Sequence, residues 1–300
     1  MEGRTMDGSR LLQQIKSKIR EQLDTLRDVG VNPHLATVIV GDNPASKAYL
    51  YNQHKACSDV GIGARKAELA GNTTQVELEA TIKKLNADDG VTGILLQLPL
   101  PVGLVDSSAI SLISKGKDVD GLNPCNLGQL FQRKPSIVPC TPNGVMVLLR
   151  HYGVQVSGMH AVIINRTRLV GRPLMQLLLN EDATVTMCHS KTKNLATIAK
   201  QADILITGIG RRSEFVVGPS MVKPGASVVD IGTSSVDGKL MGDVDFEAVS
   251  KMASFITPVP GGVGPMTVAM LLYNTLLTAC LQKGLELKIS PSELASTVPT

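Results

Sequence analysis

Five polar side chains in the first 120 residues are of types and at spacings that could do chemistry. Ser46, Tyr49 and Gln53 recur at intervals of three and four, which places them on one face of a helix. Asp42 or Asn43 caps its start, Pro44 fits its first turn, and Gly61 stops it. Gln97 ends the strand-like run Gly93-Ile-Leu-Leu, and Asp120 sits in Lys117-Asp-Val-Asp-Gly121. A hydroxyl, a phenol, two amides and a carboxylate together make a polar wall for a small ligand, although each has a duller use alone. Tyr49 suits a core, Gln97 can satisfy buried backbone, and Asp120 can build an Asx turn before Gly121. Asp118-Val-Asp120-Gly also opens like a calcium loop, but the remaining ligand positions do not follow, so no metal is expected.

A second segment, Pro258-Val-Pro-Gly-Gly-Val-Gly-Pro-Met-Thr267, holds six Gly and Pro residues in ten and is expected to face the polar wall. Glycines such as Gly261 and Gly262 let bare backbone approach a bound molecule, Pro258 and its fellow prolines stiffen the loop, and Pro265 fits the first turn of a helix. The N–H groups at that helix start would then face the ligand.

The elements that must position these groups alternate between β-branched runs and helical patterns, as in βα units around a parallel sheet. Helices are expected near 9–29, from Pro44, at 74–86 and at 143–152, with strands at Leu35–Val40, 65–69 and 93–97. The second half restarts with a strand at Ala161–Ile164, a polar turn and a helix from Gly171, then strands at Thr184–Cys188, Asp203–Thr207 and Ser227–Ile231. That spacing is Rossmann-like, yet the turn reads Asn165-Arg-Thr-Arg-Leu-Val-Gly171 in place of G-x-G-x-x-G. The second strand ends in His189-Ser190-Lys191-Thr192, with no acid for a ribose 2′-hydroxyl. Arg166, Ser190 and Lys191 would hold a 2′-phosphate by charge-assisted hydrogen bonds, so NADP is favoured over NAD. Gly208-Ile-Gly210 and Asp230-Ile-Gly-Thr233 offer further close approaches at successive strand ends.

Composition narrows the class. The chain has 300 residues, 43% hydrophobic and 19% charged, enough for two moderate cores. No N-terminal apolar stretch reads as a signal peptide, and the apolar run after Val268 is broken by Tyr273, Asn274 and Thr275, so a cytoplasmic protein without a membrane span is expected. Five scattered cysteines without CxxC spacing argue against a disulfide framework or a zinc site. A net charge of +4 with 3% aromatics excludes base-stacking nucleic-acid binders and suits a small anionic ligand.

Six strings give the chain a close resemblance to the bifunctional methylenetetrahydrofolate dehydrogenase/methenyltetrahydrofolate cyclohydrolase (FolD) family from about residue 6 to 285. They are GDNPAS at 41–46, GILLQLPLP at 93–101, KDVDG at 117–121, PCTPNG at 139–144, ATVTMCHSKT at 183–192 and ITPVPGGVGPMTVAMLL at 256–272. The resemblance implies an α/β fold: an N-terminal catalytic folate-binding domain (1–143, with a returning helix at 272–288), a Rossmann-like NADP-binding domain (144–271) and a cleft between them. A tail at 289–300 carries no readable signal. It also implies a homodimer that oxidises 5,10-methylenetetrahydrofolate with NADP and then hydrolyses the methenyl product to 10-formyltetrahydrofolate.

Site roles carried over from the resemblance place Tyr49, Gln53, Gln97 and Asp120 in catalysis, with Asp120 on the pterin. Ser46, Pro258, Gly261 and Gly262 join them around the folate. Asn165, Arg166, Thr167, Gly171, His189, Ser190 and Thr233 fall to the cofactor. Three departures stand out: Asn165 and Thr167 replace a glycine and a serine of the cofactor turn, and Gln53 replaces the lysine of a Tyr-x-x-x-Lys pair credited with proton handling in hydrolysis. Asn tolerates left-handed backbone, which would preserve the turn. A glutamine amide takes no proton at neutral pH, so hydrolysis is expected to be impaired. His54 and Lys55 turn off the Tyr49 face and do not replace the lysine. The competing readings are a non-catalytic folate- and NADP-binding homologue and a Rossmann dehydrogenase for another small acid.

Overall fold

The computed structural model describes residues 3–296, which divide into two compact units, both α/β. One comprises 14–140 and 268–290; the other joins 3–13, 141–267 and 291–296. The chain thus begins in the second unit. There β1 (Arg4–Thr5) pairs in parallel with a strand some 250 positions later, and Met6 is fully buried. Two residues of strand give no alternating pattern to read, so the sequence did not announce it.

The helix Gly8–Arg27 buries Leu11, Ile15, Ile19 and Leu23, a stripe at helical spacing. The first unit's sheet has three parallel strands, β2 (His34–Val40) between β3 (Gly63–Leu69) and β4 (Gly93–Leu96). Six of the seven β2 residues are buried, the near-continuous apolar reading of a central parallel strand. Asn43 caps the helix Pro44–Val60 by accepting the Ser46 N–H, and Gly61 ends it with φ 84°. A reciprocal Thr74–Glu77 capping box starts the helix Gln75–Ala87.

In the second unit the helix expected from 143 begins at Cys140 and runs to His151, because Thr141 and Pro142 are compatible with its first turn. The strands that follow are β5 (His160–Ile164), β6 (Thr184–Cys188), β7 (Ile204–Thr207) and β8 (Ser227–Asp230). A hairpin, β9 (Ser234–Val236) and β10 (Lys239–Met241), precedes β11 (Phe255–Ile256). The six-stranded parallel sheet runs β1-β11-β8-β7-β5-β6. Its order reverses between β5 and β7, and open α/β sheets bind ligands at the carboxyl ends of strands at such a switch.

The helix Val263–Gln282 is, among the described residues, the one long and apolar enough to cross a membrane; here it is mostly buried in the fold. The stretch after 288 is more ordered than its composition suggests. It carries the helix Pro291–Ala295 with Leu294 buried, and His151 Nδ1 lies 2.9 Å from the Ala295 carbonyl. Positions 297–300 lie outside the described residues.

Met6→Ala should cost about 2–5 kcal/mol, the range for emptying a fully buried methionine site. Urea unfolding reads the loss, which an unimportant N-terminal arm would not show.

Candidate functional site

In the first unit, four of the five predicted groups are carried by adjacent strand ends. β2 leads through Gly41, at φ 79°, into the capped helix, where Ser46, Tyr49 and Gln53 occupy successive turns. Ser46 and Gln53 are buried and Tyr49 is half-buried. β4 ends at Leu96, and the Gln97 N–H continues the ladder to Val38 O at 2.8 Å. Gln97 Nε2 donates to Leu98 O at 3.0 Å. The buried Oε1 atoms of Gln53 and Gln97 accept no hydrogen bond from the protein. Buried polar atoms are rarely left so, and both are natural acceptors for a ligand donor.

Asp120 hangs beside β4 because Asp118 forms a parallel bridge with Ile94, and Ile94 N–H donates to Lys117 O at 2.7 Å. Asp118 is a loop anchor: its Oδ2 accepts from the Asn123 N–H and Asn126 Nδ2, both at 2.8 Å. Gly121, at φ 73°, passes so close to Val138 and Pro139 that a Cβ would lie 2.6 Å from the Pro139 nitrogen. Asn274, an apparent interruption of an apolar helix, donates to Val119 O and Val138 O, both at 2.9 Å, and so holds both sides of this turn. Loss of water, then the neighbouring Asp118 charge, raises the Asp120 pKa to about 7, against a smaller lowering by the Cys140 thiol. That thiol is itself pushed well up by burial and by Asp120, and stays protonated.

The two flanking residues do not supply a base on the Tyr49 face. His54 Nε2 lies 3.0 Å from Thr37 Oγ1, and burial, then Lys66, lowers its pKa. Lys55 is exposed and reaches Asp59 at 3.8 Å.

In the second unit, Pro258 and Gly261 are half-buried and Gly262 is buried. Gly262 N–H donates to Pro258 O at 2.9 Å, and Ser9 N–H donates to Gly261 O at 3.0 Å. A Cβ on Gly8 would lie 1.9 Å from Gly262 O, so the start of the first helix needs glycine to brace this loop. Nothing in the short Met-Asp-Gly-Ser stretch signalled that role.

The turn expected to hold the cofactor follows β5. Asn165 is absent from the left-handed region, which among non-glycine described residues holds Arg133, Asp182, Asn194 and Asp237. The turn survives for a different reason than backbone tolerance. Asn165 Nδ2 donates to Gly208 O across the β5–β7 switch, while its Oδ1 accepts from the Thr167 N–H at 2.7 Å and hydroxyl at 2.8 Å. The Asn-Thr pair works as a unit, and Gly171 is required because a Cβ there would lie 2.3 Å from Asn165 O. Arg166 is exposed, as are Ser190 and Lys191 after β6 and Thr233 after β8. His189 builds the turn at the β6 end: its Nδ1 accepts the Lys191 N–H at 3.1 Å, and its own N–H donates to Thr192 Oγ1 at 2.9 Å. Exposed cations, a free hydroxyl-bearing turn and no acid at the β6 end fit a phosphorylated dinucleotide. Among the described residues no group of three or more His, Cys, Asp or Glu could hold a metal.

Residues 6–120 match the family model for the tetrahydrofolate dehydrogenase/cyclohydrolase catalytic domain, and residues 139–283 match that for its NAD(P)-binding domain. The chain belongs to this family. It is 49% identical to the bifunctional protein FolD of Nitrosopumilus maritimus over 281 residues, covering 94% of this chain and 98% of that one. The corresponding Geobacillus thermodenitrificans protein is 45% identical, with 93% and 98% covered. Among solved structures, the Campylobacter jejuni FolD enzyme matches with TM-score 0.89 and 46% identity, covering 93% of this chain and 99% of that one. The Trypanosoma brucei FolD enzyme, complexed with NADP and an inhibitor, matches with TM-score 0.89 and 39% identity, covering 94% and 99%. The family's catalytic and NAD(P)-binding models fall on the two halves of the chain in the expected order.

The raised Asp120 pKa has a stability consequence with a definite sign. Between about pH 4 and 7 the folded chain keeps a proton that the unfolded chain has released, so this group's contribution to stability falls as pH rises through that window. Asp120→Asn cannot ionise and should gain stability relative to wild type from pH 5 to 8. Urea midpoints at several pH values would show it; parallel curves would refute it.

Proposed function

We propose that the chain is an NADP-dependent 5,10-methylenetetrahydrofolate dehydrogenase whose methenyltetrahydrofolate cyclohydrolase activity is weak or absent. One observation carries the second half of that reading. Gln53, 3% exposed, stands one turn from Tyr49 with its amide oxygen unpartnered, where the family's lysine would place an ammonium. An amide there can accept a hydrogen bond from the folate, but it can neither take nor release a proton at neutral pH.

Asp120 is the group best suited to the pterin edge, where an N–H and an amino group offer two donors to one carboxylate. Ionised, its carboxylate accepts from both donors at once, and two such hydrogen bonds favour the charged form that burial and Asp118 otherwise oppose. Gln97 supplies a second acceptor beside the reacting bridge. Tyr49 lies along the same helix face, giving the bridge a wall and a hydroxyl. Bound NADP supplies the hydride acceptor; the protein's task in oxidation is to orient the methylene carbon and favour the cationic product. That task needs no obligatory base, so the Gln53 change spares it. Hydrolysis needs a water to be deprotonated, and there the lost group matters.

For the cofactor, Arg166 and Ser190 are the proposed holders of the adenosine phosphate, with the Asn165–Thr167 pair setting the turn and Gly171 opening the helix behind it. Thr233 and His189 line the same strand ends. Pro258, Gly261 and Gly262 are proposed to contribute backbone to the folate, as the sequence suggested. The same reading takes the protein to be a cytoplasmic homodimer; sedimentation of the purified chain tests the assembly.

Gln53→Lys should raise methenyltetrahydrofolate hydrolysis by about 10²- to 10⁴-fold, the usual contribution of a positioned acid–base group, with NADP reduction changed only modestly. Separate absorbance traces for NADPH and the methenyl product in one reaction measure both. Equal hydrolysis by the two proteins would remove Gln53 from the mechanism, and ligand binding without any NADPH formation would leave a non-catalytic folate protein.

A further inference from the structure

Two buried aspartates whose side chains the sequence motifs gave no role lie at the carboxyl ends of β7 and β8. Asp243 is fully buried. Its Oδ2 accepts from Thr207 Oγ1 at 2.9 Å and from the Ile209 N–H at 2.6 Å, while Oδ1 accepts from the Gly210 N–H at 2.9 Å. Asp230, 2% exposed, accepts from the Gly232 N–H at 2.9 Å and the Val244 N–H at 2.8 Å. Each carboxylate is packed against a glycine next to the other: a Cβ on Gly232 would lie 2.2 Å from Asp243 Cγ, and one on Gly242 would lie 2.1 Å from Asp230 Oδ2.

The crossed pair is itself anchored. Arg212 Nη1 donates to Gly242 O at 2.7 Å and Val244 O at 2.9 Å, and Val217 bridges to Val244. Asp230 N–H donates to Thr257 Oγ1 at 2.7 Å, one residue before the Pro258 loop. On the other side, Gly208 O receives Asn165 Nδ2, so the network is continuous with the cofactor turn.

A buried carboxylate is costly unless hydrogen-bonded, and here the donors are loop N–H groups that have no partner in the sheet. Both residues of the 209–210 pair donate to one carboxylate, which fixes the path of the backbone at the switch point. We propose that Asp243, with Asp230 as its crossed counterpart, is a positioning residue for the nicotinamide cofactor: it sets the Gly208–Gly210 and Ile231–Thr233 loops in the shape that receives the dinucleotide. This rests on the cofactor site proposed above. Burial, and after it the nearby Asp243 charge, raises the Asp230 pKa to about 6, against the hydrogen bonds it receives. Asp243, which takes three donors from the β7 end including both amides of the 209–210 pair, is the member of the pair to alter.

Asp243→Asn keeps the size and one acceptor but turns an amide NH2 toward at least one of the donors it now faces. NADP affinity should fall about tenfold or more, the worth of one charge-assisted hydrogen bond, with folate affinity unchanged within about twofold. Val222→Ala, which empties part of the same unit's buried core and removes none of the hydrogen bonds to Asp243 or Asp230, serves as the comparison for simple destabilisation. Hydrogen exchange on the wild-type protein gives a readout that does not require the variant to fold: the Ile209 and Gly210 amides should be protected as well as those of β7. Fast exchange there, an unchanged NADP affinity in a folded Asp243→Asn protein, or an equal loss in Val222→Ala would each overturn the proposal. A wild-type chain that fails to bind NADP at all would instead remove the cofactor reading on which it stands.

Discussion

Parallel strands run out of ladder partners at their carboxyl ends, and every loop assigned here to a ligand hangs from such an end. Backbone N–H and C=O groups leaving a parallel sheet must find side chains or ligands once they are shielded from water. This protein meets that demand with buried Asp and Asn rather than with more strand. Asp118 gathers the Asn123 amide, Asn274 holds the Val119 and Val138 carbonyls, Asn165 takes Gly208, and Asp243 takes Ile209 and Gly210. The ligand-facing shape is set by these groups, while the sheets provide the fixed points from which they reach.

The same constraint separates two kinds of polar residue that look alike in a sequence. Asp118 and Asp120 are two positions apart in one motif and burial raises the proton affinity of both, yet Asp118 accepts hydrogen bonds from Asn123 and Asn126 of its own loop, whereas Asp120 has the Asp118 charge and the Cys140 thiol beside it. Gln53 and Gln97 lie on the expected ligand-facing helix and strand end and carry buried amide oxygens that the protein leaves unpartnered. A group already satisfied by the fold has little left to offer a substrate. Those left with capacity are the ones proposed to meet the ligand, and Gln53 is the one that stands where the resemblance places a lysine.

Much of the architecture was legible because parallel βα units write themselves as apolar runs and caps. Leu35–Val40, Ala161–Ile164 and Thr184–Cys188 read as strands from β-branched content, and the Pro44 helix from Asn43 and Gly61. The helix face that carries Ser46, Tyr49 and Gln53 was legible from its spacing, and the place of Gln97 from its strand end. What escaped had no local signal. β1 is two residues whose strand partner lies far down the chain, and the helix Pro291–Ala295 is set by contacts such as that of Ala295 O with His151. Asp243 carried no motif, and Asp230 stood only in a string noted for close backbone approach; the fold alone brings the Asp243 carboxylate to Gly232 and the Asp230 carboxylate to Gly242.

The Asn165 turn shows how a departure from a family pattern can be absorbed without the mechanism that composition suggests. Glycine at such a position usually serves an unusual φ or a close approach, and Asn was expected to imitate the first. Instead the side chain makes three hydrogen bonds of its own, to Gly208 and twice to Thr167, whose N–H and hydroxyl a serine would supply equally. A hydroxyl at 167 without an acceptor at 165, or an amide at 165 without that hydroxyl, would leave part of the exchange unmade. The departure that matters is therefore Asn165, since Thr167 keeps the hydroxyl of the serine it replaces. It moves the work of shaping the turn from backbone freedom to a side-chain bridge that already ends on Gly208, the residue from which the Asp243 network begins.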